Sequence, residues 1–144
     1  MVRCIALFLL LTGLTIGALF PTPVTKFKID GVLKCRIPGL WCHYVTLYEI
    51  DDVTKNDLID FHGVRCTRQA TFGYKLEGVQ YGDELGDDFY EITMYARHNC
   101  SERSQIKEIT YIPEAVPLNT TDAEFHWNVD VSGTGTTVDT YYFF

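Results

Sequence analysis

The feature that most restricts the fold is a succession of short runs in which apolar residues recur at every second position. From Lys26 to Arg36 the chain alternates and places Phe27, Ile29, Leu33 and Cys35 on one side. Successive side chains of extended backbone point to opposite faces, so this pattern describes a strand with one face buried. Pro38-Gly39 then turns the chain, and Trp41 to Ile50 reads as a second extended run. The polar segment from Asp51 to Asp57 makes a loop. Leu58 to Thr67 returns as a third strand, with an irregularity expected at Gly63.

Phe72, Tyr74 and Leu76 alternate with small or polar residues, and this run is expected to stop at Gly78. Gly82 to Asp88 is a loop crowded with acids. Phe89 to His98 reads as another strand, and Ile106 to Ile112 as one more, closed by Pro113. Phe125, Trp127, Val129 and Val131 line one face of a final strand. No long segment has clean helical periodicity, although one short helix is allowed between Pro113 and Asp122. The fold class is therefore all-β, an antiparallel two-sheet sandwich of about seven strands.

Ahead of these strands, residues 1–20 have the layout of a cleavable secretion signal. Arg3 gives a positive start, Cys4 to Leu14 an apolar run, and Gly17 and Ala18 small residues before Pro21-Thr22-Pro23. Cleavage is expected between Gly17 and Phe20. A membrane anchor is the competing reading, but the apolar run falls short of the ~20 residues that span a bilayer. This divides the chain into a signal (1–20), one domain (21–131) and a tail or last strand (132–144). The expected location is extracellular, where cysteines oxidise.

Twelve basic residues face 19 acidic ones, a formal net charge of −7. That balance argues against nucleic acid as a partner and against non-specific adhesion to anionic membranes. Loss of Cys4 with the signal leaves Cys35, Cys42, Cys66 and Cys100, an even set open to two disulfides in three connectivities. If the second and third strands form a hairpin about Thr54, opposed residues sum to about 108, a register in which cross-strand partners face each other. Cys42 and Cys66 meet that sum, which leaves Cys35 to reach Cys100. Zinc is the competing use of these cysteines, since His43 adjoins Cys42 and His98 lies near Cys100, but the spacings match no familiar zinc pattern. Asn99-Cys100-Ser101 and Asn119-Thr120-Thr121 are candidate N-glycosylation sites, with Asn119 the better placed if Cys100 is bridged.

Several segments together resemble the transthyretin-like family of secreted nematode proteins. Gly31-Val32-Leu33-Lys34-Cys35 is similar to its opening Gly-x-Leu-x-Cys strand, and Val45-Thr46-Leu47-Tyr48-Glu49 to its Val-x-Leu-Tyr/Phe strand. Asp57-Leu58 resembles part of its Asp-Asp-Leu element, Arg97-His98-Asn99-Cys100 its His-x-Cys motif, and Ile109-Thr110-Tyr111-Ile112-Pro113 its strand ending in Ile-Pro. Phe125 to Val131 sits where that family has its last strand. Arg68-Gln69-Ala70-Thr71-Phe72 departs from the family's Asp-rich turn, Ser101 to Ile106 lacks its further Cys, and Cys42 and Cys66 look like additions. The resemblance implies a transthyretin-type sandwich and a secreted recognition role, with an extracellular protein or a lipid surface as partner.

Three function classes follow as expectations. Binding without catalysis or cofactor comes first, and carriage of a small hydrophobic ligand or lipid, which would need an apolar channel between subunits, comes second. The third is hydrolysis of the hydroxyisourate type, which resembling enzymes perform with a His/Arg/His constellation and a C-terminal Tyr-Arg-Gly-Ser. This chain ends Thr140-Tyr141-Tyr142-Phe143-Phe144. His43, His62, His98 and His126 are scattered in sequence and read as surface or hydrogen-bonded structural residues. The carboxylates Asp51, Asp52, Asp57 and Asp60, and Asp83, Glu84, Asp87 and Asp88, crowd two loops and are weak calcium candidates without EF-hand spacing. The aromatic end, Tyr141 to Phe144, reads as a strand packed back on the sandwich or as an exposed anchor.

Overall fold

Strand β1 (Thr25–Lys34) alternates buried and exposed residues along its whole length, with Phe27, Ile29 and Leu33 fully enclosed. The computed structural model describes residues 24–51, 55–82 and 88–139. The expected signal, Asp52, Asp83, Glu84, Asp87 and the Tyr141–Phe144 end lie outside the described residues.

After β1 come β2 (Trp41–Glu49), β3 (Asp57–Phe61), β4 (Arg65–Thr67) and β5 (Thr71–Gln80). The chain continues through β6 (Phe89–Tyr90), β7 (Ile92–His98), β8 (Lys107–Tyr111) and β9 (Val116–Pro117). It closes with β10 (Asp122–His126), β11 (Val129–Asp130) and β12 (Thr136–Thr137). The smaller sheet has β1 at its centre, with β5 antiparallel on one side and β10 and β11 parallel on the other. The larger runs β12-β8-β7-β2-β3, with β4 also on β2, and all its pairings are antiparallel. Broken strands that continue one another occupy single positions, so the architecture is an all-β sandwich. Its one parallel seam, beside β1, is not legible in residue alternation.

Between the sheets lie Phe27, Ile29 and Leu33 of β1, Leu76 of β5, Val45 and Leu47 of β2, and Ile92, Met94 and Ala96 of β7. Full burial of each larger apolar side chain contributes about 1.5–3 kcal/mol. Phe27 meets Tyr90 edge-on at 5.4 Å, and Tyr111 stacks on Trp127 at 5.3 Å, so aromatic contacts also join the layers.

Three local expectations are corrected. Gly78 does not end its strand. It is the point where β5 crosses β3, and a Cβ there would run into Ile59. The Leu58–Thr67 run is split into β3 and β4, with Gly63 at φ 68° in the gap, a backbone conformation that L side chains resist. Between Pro113 and Asp122 there is no helix. Two prolines four residues apart break the turn, Val116–Pro117 pairs with Phe89–Tyr90, and Thr120 N–H donates to the Pro117 carbonyl at 2.9 Å.

The final strand is also interrupted. At Trp127–Asn128 the backbone leaves the ladder, and the Asn128 side-chain oxygen accepts from Val32 N–H at 2.8 Å in its place. The Trp127 carbonyl instead accepts the Tyr74 hydroxyl at 2.8 Å and passes directly over Gly31. A methyl group at Gly31 has no room, because it overlaps that carbonyl. Gly31→Ala is expected to cost about 3 kcal/mol or more. Gly73→Ala, whose nearest neighbour is the Gly31 carbonyl at 4.0 Å, is the control and should cost less than about 1 kcal/mol. Urea unfolding of both variants measures the difference, and equal midpoints would remove this account of Gly31.

Candidate functional site

The two outer faces of the sandwich differ in chemistry. On the smaller sheet, Lys28, Asp30, Lys75, Glu77, Glu124 and His126 form an exposed ionic lattice. Its pairs are Lys28–Glu124 at 3.2 Å, Lys75–Glu77 at 2.6 Å and His126–Asp30 at 2.6 Å. Such pairs, well solvated, contribute little stability each and present a hydrated surface.

The larger sheet turns tyrosines outward. Because Val45 and Leu47 of β2 face the core, Tyr44 and Tyr48 face away, and on β7 the same logic exposes Tyr95 and Arg97. Tyr48 and Tyr95 meet edge-on at 6.0 Å, and Tyr44 lies 6.2 Å from Phe61, which is 53% exposed. Half-burial pushes the Tyr44 phenol pKa up, helped by neighbouring Tyr48 and opposed by Arg97, so the hydroxyl stays protonated. Arg97 Nε donates to Glu108 at 2.6 Å, and this pair is largely shielded, with side chains 26% and 19% exposed.

Two recesses open along this face. One, of about 500 Å³, is lined by Tyr48, Lys55, Asn56, Tyr95 and Arg97. The other, of about 340 Å³, is lined by Arg97, Glu108, Thr137, Val138 and Asp139. They share Arg97, so the Arg97–Glu108 pair stands between an aromatic half and a polar half of one groove.

Sequence reasoning missed how the histidines converge. His43 and His98 oppose each other across β2 and β7, fully buried; the His43 nitrogens have no hydrogen-bond partner, and the His98 ring lies against the Thr134 backbone. His62 stacks 5.9 Å from His43, and Phe72 lies 4.2 Å from it. His43 therefore departs from the expected surface or hydrogen-bonded role, whereas His126 is exposed and paired with Asp30. Burial is the main cause that pushes His43 down to about 4, with the positive charges of His62, Arg65 and His98 adding to it. Burial likewise pushes His98 down to about 4, against the backbone of Thr134, which favours the charged form. Burial also lowers His62. The His43 and His98 imidazoles are neutral packing groups enclosed in the core, and His62 is partly buried beside them. Alternation could have shown which face they occupy, but the inter-strand register that brings them together could not be read.

The cysteines form two bridges, Cys35–Cys100 and Cys42–Cys66. The first is buried, with both residues 2% exposed, while Cys66 is exposed at the rim of the larger sheet. Asn99 has its side-chain oxygen engaged by Cys42 N–H at 2.7 Å, whereas Asn119 is exposed in a turn. Asp60 accepts from its neighbour Phe61 N–H and from Glu77 N–H on β5, both at 2.8 Å, so it works as a strand tie. Asp57 accepts from Gln80 at 3.4 Å, and Asp51 N–H donates to Asn56 at 3.3 Å. The Asp88 carbonyl accepts from Leu118 N–H at 3.1 Å. Among the described residues no three His, Cys, Asp or Glu side chains are arranged to hold a metal ion.

Residues 30–140 match the family described as "Caenorhabditis elegans protein of unknown function (DUF870)", and the chain belongs to that family. It is also 30% identical over 82 residues to a Caenorhabditis elegans protein described as "Uncharacterized protein B0416.7". That stretch is 56% of this chain and 59% of that protein, so the chain spans about three fifths of its relative's length. No solved structure matches the chain.

Two predictions follow from the buried groups. With folded-state values near 4 against an ordinary 6.5, His43 and His98 bind protons more readily when unfolded. Their contribution to stability is complete above pH 6.5 and is lost as pH falls towards 4. The loss approaches about 1.4 kcal/mol per pH unit for each ring. Urea midpoints measured from pH 7 down to 5 should fall, and His98→Leu should flatten the slope. An unchanged slope in that variant would exonerate His98. For the bridges, mild reductant should open the exposed Cys42–Cys66 first and spare Cys35–Cys100 until the domain unfolds. Mass mapping of alkylated peptides reads the order, and simultaneous opening would contradict it.

Proposed function

We propose that the chain is a secreted protein with a transthyretin-type sandwich that works by binding an extracellular partner, and that the outer face of its larger sheet is the contact surface. The observation that carries this reading is the contrast between the two faces. One is saturated with ion pairs and water. The other presents paired tyrosines around a shielded Arg97–Glu108 bridge, with Phe61 and Leu58 exposed at its edge, 53% and 48% respectively. Rigid aromatic side chains beside an arginine are the composition on which binding energy concentrates.

Two disulfides support an oxidising location, and in that location the exposed Asn119 sequon is the one open to glycosylation. Among the described residues no helix is long and apolar enough to cross a membrane. Among the described residues the groove holds no acid, base and nucleophile in mutual reach, and its one carboxylate–guanidinium pair, Glu108 with Arg97, is joined by an ion pair. The catalytic alternative has no such support from this face, and carriage between subunits draws none from the packed core.

The test is binding of the purified mature chain to nematode extracellular material. Tyr48→Ala should weaken binding at least about tenfold, the loss of roughly 1.4 kcal/mol. Lys75→Ala on the opposite face should leave it within about twofold, as expected for a solvated charge. Loss with Lys75→Ala alone would transfer the function to the smaller sheet.

A further inference from the structure

We propose that the groove across the larger sheet binds a neutral oligosaccharide. This rests on the reading of that face as the contact surface and names the chemistry of what it contacts.

A pyranose presents two kinds of surface. Its ring C–H groups make flat apolar patches that lie against an aromatic ring, and its hydroxyls radiate in the ring plane as paired donors and acceptors. The aromatic half of the groove supplies the first complement. Tyr48 and Tyr95 hold each other edge-on at 6.0 Å, so their rings are fixed before a ligand arrives and lose little freedom on binding. The shared centre supplies the second. Arg97 Nε and Glu108 place donor and acceptor side by side at 2.6 Å, and their side chains are 26% and 19% open to solvent. A sugar hydroxyl pair can donate to the remaining carboxylate lone pairs while accepting from the guanidinium. Asn56 and Lys55 border the aromatic end with further polar groups.

Shape and charge select among ligands with hydroxyls or apolar patches. The groove is shallow and runs through two joined recesses, which suits an extended chain of sugars lying across the sheet. An acyl chain needs an enclosed apolar site, and here every stretch of the lining has a charged or amide group within it. The groove's own charges balance, Lys55 and Arg97 against Glu108 and Asp139, so it offers a sulphated or carboxylated polysaccharide no net attraction, and the formal net charge of −7 overall repels one. The complement is therefore an uncharged glycan.

Titration of the purified mature chain with chitotetraose and with cellotetraose, followed by backbone amide shifts, tests this directly. At least one of the two should bind saturably at micromolar to millimolar concentration and shift amides of β2 and β7. A heparin tetrasaccharide should not. Tyr48→Ala should weaken binding at least about tenfold, while Tyr95→Trp, which keeps a stacking surface, should retain it. Unfolding midpoints of each variant separate loss of binding from loss of fold.

No shift with either neutral sugar, or equal binding of heparin, overturns the proposal. So does a concentration-dependent dimer that buries β2 and β7. Mild periodate treatment of the extracellular material, which cleaves sugar diols, distinguishes the two levels of inference. Binding that survives periodate but is lost in Tyr48→Ala removes the glycan and leaves the contact face. Binding that is unaffected by Tyr48→Ala removes both.

Discussion

One covalent tie organises the molecule. Cys35 follows β1, the central strand of the smaller sheet, and Cys100 follows β7, inside the larger one, and their Cα atoms stand 6.0 Å apart. The bridge closes a separation of 65 residues, which in the chain-entropy account is worth about 4 kcal/mol. It fixes the spacing of the sheets at one end. The surrounding backbone is arranged on it: Cys35 N–H donates to the Ala70 carbonyl, and Gly133 N–H to that of Cys100. At the opposite end Phe27 packs on Tyr90 of the short β6–β9 pair, and the Glu77 N–H to Asp60 hydrogen bond ties β5 to β3.

With the spacing fixed, the interior accepts side chains that a looser core would reject. Imidazoles at His43 and His98 occupy positions where valine or leucine is the ordinary choice, and the tyrosines of the same strands face out. The arrangement puts titratable rings in and flat aromatic rings out. The buried His43 nitrogens go unpaired, at a cost in stability. Under the proposed function, stability and recognition would draw on opposite faces of the same two strands, β2 and β7.

How much of this is legible depends on how sharply a strand separates its faces. In β1 Lys26, Lys28 and Lys34 lie outward and Phe27, Ile29 and Leu33 inward, and the strand can be read to within a residue or two. In β2 both faces carry rings, Trp41 and His43 inward against Tyr44 and Tyr48 outward, so alternation marks a strand without saying which face is core. The hairpin register is readable near the cysteines, where Trp41, Cys42 and His43 oppose Thr67, Cys66 and Arg65. It slips by one residue across the gap at Gly63, where an irregularity was expected, so that Thr46 lies opposite Phe61, and by one more between Leu47 and Tyr48, where no residue marks it and Tyr48 comes to face Leu58. The groove was beyond reach for the same reason. Tyr48, Tyr95 and Glu108 come from three strands whose pairing is set by the whole sandwich, and Gly78 looked like a stop because the crossing strand that needs it lies far away in sequence.

The parallel seam beside β1 has a consequence for how the protein is made. Lys28 bonds Glu124 and Thr25 bonds Thr120, contacts that join residues 96 and 95 positions apart. During synthesis β1 can pair with β5 early, but its other edge stays open until almost the whole domain has emerged. Through that interval an unfinished strand edge stays open, with Lys26, Lys28 and Lys34 on its exposed side. Charges of this kind disfavour edge-to-edge pairing with other chains, so residues that are ordinary surface charge in the finished sandwich suit a strand whose last partner is translated late.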